Sequence, residues 1–106
     1  MDIVNKLREV YPDSSFIYLV GLNDAIIGVQ VGPNEDSDKL VYLASKIIAN
    51  FVNSGMSYDE ALEYYYFNVE GSYFGDKTPV IVNDLELEIS NQPARAKDIY
   101  ITFRAN

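Results

Sequence analysis

Ser57-Tyr58-Asp59-Glu60-Ala61-Leu62-Glu63-Tyr64-Tyr65-Tyr66-Phe67-Asn68-Val69 is the stretch on which the fold turns. A serine followed three positions later by a glutamate, just ahead of an apolar pattern, is a capping box. Each side chain accepts a backbone N–H that the first helical turn leaves unsatisfied. The spacing predicts a helix from Tyr58 to about Val69. At about 100° per residue, Tyr58, Ala61, Leu62, Tyr65 and Val69 gather on one side, which should face the core. The opposite side carries Asp59, Glu60, Glu63 and Glu70 around Tyr64 and Phe67, an acidic face with aromatic rings in its middle.

Two readings of that face stay open. In the plainer one the helix lies between two layers, and a loop or strand covers Tyr64 and Phe67 while the acids reach water at the edges. In the sharper one the face docks a partner. Aromatic side chains dominate interface energetics and a charged rim sets orientation, which suits a protein-binding surface better than a substrate pocket.

Working outward, Asn53-Ser54-Gly55 should end a preceding helix, since glycine takes the left-handed conformation common just past a helix end. Before it, Leu40-Val41-Tyr42-Leu43 reads as a strand feeding a helix capped by Ser45. Phe16 to Val20 and Ala25 to Val31 are rich in β-branched and aromatic residues, and Gly21 to Asn23-Asp24 suits a turn, so the pair reads as an antiparallel hairpin. Gly32 to Asp38 is a polar loop. At the N-terminus, Asp2 is placed to cap a helix reaching about Val10, with Ile3, Val4, Leu7 and Val10 on one side.

Beyond the central helix, Gly71 and Gly75 bracket a turn and Pro79 opens the strand Val80-Ile81-Val82. Gly75-Asp76-Lys77-Thr78 resembles a phosphate-binding loop only superficially, because the glycine spacing is wrong and a strand follows. Leu85, Leu87 and Ile89 alternate with Asp84, Glu86 and Glu88, which predicts a strand with one dry and one wet face. Ile99, Ile101 and Phe103 supply a last strand. The expected fold is a single α+β domain over residues 1–106, mainly an antiparallel sheet with about three helices, in the order α-β-β-β-α-α-β-β-β.

Composition narrows function. With neither cysteine nor histidine in 106 residues, disulfides, thiolate or imidazole metal sites and the Ser-His and Cys-His couples of hydrolases are excluded. Asp24, Asp36, Asp38 and Asp76 do not fall in a calcium-loop pattern. No metal or cofactor is expected, and a non-enzymatic role is favoured over a Tyr-carboxylate pocket built on residues 64–66 and 73. Sixteen acids against eight bases give a net charge of −8, which makes naked nucleic acid a poor partner because phosphate affinity comes from Lys and Arg. An acidic chain could instead imitate nucleic acid, and Asp84, Glu86 and Glu88, about 6.8 Å apart along one strand face, would form a fitting array. The plainer alternative is a solvated strand face, with Arg95, Lys97 and Arg104 as ordinary surface charge pairing with it. No apolar run approaches the roughly 20 residues of a membrane span, and no secretory signal is readable.

Much of the chain resembles a family of small, largely unannotated proteins of tailed bacteriophages. The resemblance spans about residues 14–82. It rests on Asp24-Ala25-Ile26-Ile27-Gly28, Val41-Tyr42, Met56-Ser57 through Glu60-Ala61, Glu63-Tyr64, Phe67-Asn68-Val69, Gly71, Gly75 and Thr78-Pro79-Val80. It implies a phage or prophage origin and a cytoplasmic setting in an infected bacterium, and it carries over no activity and no functional residue. The chain departs from the family's pattern by continuing past Asn83 with two more expected strands, a C-terminal hairpin extension over about 83–106. The expectation is an interaction protein that binds a host or phage protein through Asp59, Glu60, Glu63, Tyr64, Phe67, Glu70, Asp84, Glu86 and Glu88. It would inhibit a defence or nucleic-acid enzyme in the anti-CRISPR or anti-restriction manner. A virion or assembly component that pairs with copies of itself is the alternative.

Overall fold

The computed structural model describes residues 2–86 and 97–104. Among these, the elements run α1 (Ile3–Val10), β1 (Ile26–Gln30), β2 (Lys39–Leu43), α2 (Ala44–Asn53), α3 (Tyr58–Asn68) and β3 (Val80–Val82), with single 3-10 turns at Asn23–Ala25 and Glu35–Ser37. The fold is a small α+β domain.

The sheet has the order β1-β2-β3 and is mixed. β1 and β2 pair antiparallel, with a bulge between Ile26 and Gly28. β2 and β3 pair parallel, Leu43 lying opposite Val82. The sheet, expected to be mainly antiparallel, thus has one antiparallel and one parallel pairing. α2 and α3 lie between β2 and β3 in the chain, and a long helical crossover brings the next strand back in the same direction.

Along β2 the side chains alternate, and Leu40 and Tyr42 are fully buried. They join Ala44, Ile47 and Ile48 of α2 and Ala61 and Tyr65 of α3 in one core, to which α1 adds Leu7. Asp2 caps α1 as expected, its carboxylate accepting the Val4 N–H at 3.0 Å. Val10, expected on the buried side, is exposed.

Phe16 to Val20 is not a strand, so the expected first hairpin is also corrected. The apolar run there serves burial rather than pairing. Phe16, Tyr18 and Leu19 pack against the core, while the Leu19 N–H donates to the Tyr42 hydroxyl at 2.8 Å instead of to a neighbouring strand. The hairpin is β1–β2, closed by the loop after Val31. Buried Asp38 cinches that loop by accepting the Gly32 N–H at 3.0 Å and the Ser14 hydroxyl at 3.1 Å. Gly32 has to be glycine, because a Cβ would collide with the side chain of Ser37 and approach its carbonyl to 2.9 Å.

α2 ends where the sequence says it should. Gly55 has φ of 119°, its N–H donates to Val52 at 3.0 Å, and that of Met56 donates to Phe51 at 3.2 Å. This is the Schellman arrangement, with Phe51 and Met56 as its apolar contact. Its start is different. Ser45 is not the cap; its N–H donates to Asp84. The expected strand over 99–103 is absent, with Ile99, Ile101 and Phe103 exposed and unpaired in the sheet. Most of the strand beginning at Asp84, including Leu87, Glu88 and Ile89, lies outside the described residues, and at its start Leu85 and Glu86 form a turn.

Candidate docking face on the central helix

The capping box forms as read. Ser57 Oγ accepts the Glu60 N–H at 3.2 Å and Glu60 Oε1 accepts the Ser57 N–H at 3.0 Å. Hydrogen bonding from Ser57 to the Glu60 carboxyl, the backbone N–H first, holds that carboxyl below its usual range. Asp59 shares the first turn, where the helix dipole favours negative charge. Two of the predicted docking acids therefore also start the helix.

The inner side buries Ala61, Tyr65 and Val69, with Leu62 half-buried. Tyr58 was expected there but is 56% exposed. It is the first residue of α3.

On the outer side Phe67 is 81% exposed. Among the described residues no loop or strand covers it, and the layered alternative finds no support for this ring. Tyr64 is exposed but anchored, its ring meeting Phe51 edge-on at 5.1 Å between centroids. Met56, Glu60, Glu63, Tyr64, Phe67 and Asn68 line an open depression of about 380 Å³. A second hollow of about 220 Å³ shares Tyr64 and Asn68 and extends toward Val20, Phe51 and Phe74. Val20 is 98% exposed.

The structure thus brings together Glu60, Glu63, Tyr64 and Phe67 and adds Met56, Val20 and Phe74. Sequence reading missed these three because they come from the end of one turn, a non-sheet segment and a loop.

Glu70 lies past the end of α3 and lines a different cleft, with Tyr65 and Asn83. Asp84 is half-buried and engaged with Ser45. Glu86 is exposed in the turn and Glu88 lies outside the described residues, so the acidic ladder is not formed at its described end. Tyr64, Tyr65 and Tyr73 wall three different hollows rather than one. The loop before β3 is a structural turn. Thr78 Oγ1 donates to the Gly75 carbonyl at 2.6 Å and accepts the Phe74 N–H at 2.7 Å.

Among the described residues, no group of three or more acids is placed to hold a metal ion, and no helix is long and apolar enough to cross a membrane. Comparison with protein-family models, curated proteins and solved structures returned no match.

Proposed function

We propose that this chain is a non-enzymatic interaction protein that docks a host or phage protein on the outer face of α3. The observation that carries the reading is the exposure of Phe67, 81% open on a helix whose other side is sealed in the core. An apolar ring held out by a rigid, well-capped helix costs little conformational entropy on binding and can act as an anchor. Glu60 and Glu63 beside it select a partner with a basic rim and speed its approach. The net charge of −8 acts in the same sense.

A phage origin and inhibition of a defence or nucleic-acid enzyme are the finer form of this proposal. Sequence resemblance and acidity support it. Mimicry of nucleic acid by Asp84, Glu86 and Glu88 is the weaker part, because Asp84 is occupied with α2.

The test is a pull-down from bacterial lysate with wild type and Phe67→Ser side by side. A saturable partner should be retained by the wild type, released by moderate salt and lost by the variant. Equal capture by both proteins would remove the face on α3 from consideration. A second reading, self-assembly, is favoured by the exposed apolar side chains of Ile99, Ile101 and Phe103. Sedimentation showing a strict monomer at high concentration would end it.

A further inference from the structure

We infer that the cleft between α1 and the segment after it binds a small aromatic anion, a single ring carrying a phosphate or carboxylate. Arg8 and Lys77 would hold the anionic group, and Tyr11, Phe16 and Tyr18 would pack against the ring. This goes beyond the docking reading and does not rest on it, since the cleft is built from α1 and residues 11–18 rather than from α3. It encloses about 290 Å³, at the lower limit of ligand clefts, roughly 300–1,000 Å³, which suits one ring better than a dinucleotide.

Three observations specify the ligand. The first is the aromatic wall. Phe16 meets Tyr11 edge-on at 6.1 Å and Tyr18 edge-on at 6.5 Å between centroids, and all three rings are half-buried, each keeping part of its surface open.

The second is a pair of cations in a chain of net charge −8. Arg8 lines the cleft. The Lys77 ammonium reaches in from the loop before β3 and stands 3.5 Å from Ser15 Oγ and 5.9 Å from the centroid of the Phe16 ring, both of them residues of the cleft lining. Neither cation forms an ion pair among the described residues. Lys77 is half-buried, and lysine seldom gives up water without a paired charge. Arg8 also suits the last turn of α1, where the helix dipole favours a cation, and Lys77 gains from the face of Phe16. Those roles still leave the guanidinium fork and most of the ammonium donors for a ligand.

The third is the acid that touches this lining. Buried Asp38 accepts the Ser14 hydroxyl and the Gly32 N–H, so it neutralises neither cation, while the Ser15 hydroxyl remains able to donate to a ligand. The charge of Asp38 lowers the affinity for anions in general. A ligand that also gains from the rings is therefore favoured over a bare anion.

The full-length chain, ¹⁵N-labelled, is titrated with phenyl phosphate, benzoate, inorganic phosphate and neutral benzyl alcohol while amide shifts are followed by NMR. At least one aromatic anion should move the Ser15, Phe16 and Tyr18 signals saturably, and the tighter of the two assigns the anionic group. Benzyl alcohol should bind at least about tenfold more weakly for want of charge, and inorganic phosphate about tenfold more weakly for want of a ring. Lys77→Met keeps an apolar stem beside Phe16 and should weaken the aromatic anion about tenfold. Arg8 is exposed, so Arg8→Gln should cost about threefold to fivefold, and it keeps the test open if Lys77→Met does not fold. Phe67→Ser should leave the affinity unchanged, which separates this site from the docking face. Absence of saturable shifts, equal binding of benzyl alcohol, equal binding of inorganic phosphate, or full affinity in Lys77→Met would overturn the inference.

Discussion

Asp84 Oδ1 accepts the backbone N–H of Ser45 at 2.9 Å, so α2 takes its N-terminal cap from a residue 39 positions along the chain. The parallel register explains the meeting. Leu43 faces Val82, and two residues further on each strand puts Ser45 beside Asp84. One carboxylate thereby ties the start of α2 to the end of β3. Removing it in Asp84→Ala should cost about 1 kcal/mol, in the range of lost helix caps, measured by urea denaturation.

The same pair makes a pH prediction. Hydrogen bonds from Ser45 hold the Asp84 carboxyl below its ordinary value of 3.8. A depressed folded-state pKa means the folded protein binds the proton less readily than the unfolded chain. The stabilisation is therefore complete above the unfolded value and fades as pH falls through the folded one. The stability gap between wild type and Asp84→Asn should be flat near neutrality and shrink below about pH 4. A gap that persists at pH 2 would show the carboxylate charge to be irrelevant.

Asp38 is the second structural acid, buried at the base of the β1–β2 loop and accepting from both Gly32 and Ser14. Asp38→Ala leaves an N–H and a hydroxyl without their acceptor and should lower stability by about 1–3 kcal/mol. Hydrogen exchange should show the Gly32 amide losing protection. If that amide exchanges no faster in the variant, the loop is held by something other than this carboxylate.

Sequence legibility followed the range of the interaction. The capping box at Ser57 and Glu60 and the glycine stop at Gly55 are local devices, complete within a few residues, and both form as read. The same local helix points Phe67 away from Ala61 and Tyr65 by its period alone, whereas whether another layer would cover the ring depended on distant segments. What failed was long-range. Phe16 to Val20 has the β-branched and aromatic richness of a strand, but pairing depends on which neighbour is free, and Tyr42 takes its Leu19 amide. Asp84 looked like one rung of a wet face, because nothing within a few positions of it announces that Ser45 will be adjacent. The direction of β3 was equally hidden, being set by how α2 and α3 pack rather than by Val80-Ile81-Val82 itself.

The docking face allows a cleaner variant than simple charge removal. Glu60 caps its own helix, so neutralising it would confuse folding with binding, whereas Glu63 lines the depression outside the cap bonds. Phe67→Ser and Glu63→Gln should each leave stability within about 0.5 kcal/mol of wild type, as surface changes do. Against a captured partner, Phe67→Ser should raise the dissociation rate. Glu63→Gln should mainly slow association and flatten its salt dependence. Identical salt slopes for Glu63→Gln and wild type would take Glu63 off the interface.

Tyr42 and Tyr65 offer a paired prediction, because both are fully buried and differ in what their hydroxyls meet. The Tyr42 oxygen accepts the Leu19 N–H at 2.8 Å, so Tyr42→Phe leaves a partly buried amide without its acceptor and should cost about 1–3 kcal/mol. The Tyr65 oxygen has no partner among the described residues. Tyr65→Phe removes an unsatisfied polar atom from the interior and should be neutral or stabilising in ligand-free buffer. Thermal melts of the two variants, run together at neutral pH, should move in different directions or by clearly different amounts. Equal losses would mean that the Tyr65 hydroxyl is already bonded in solution.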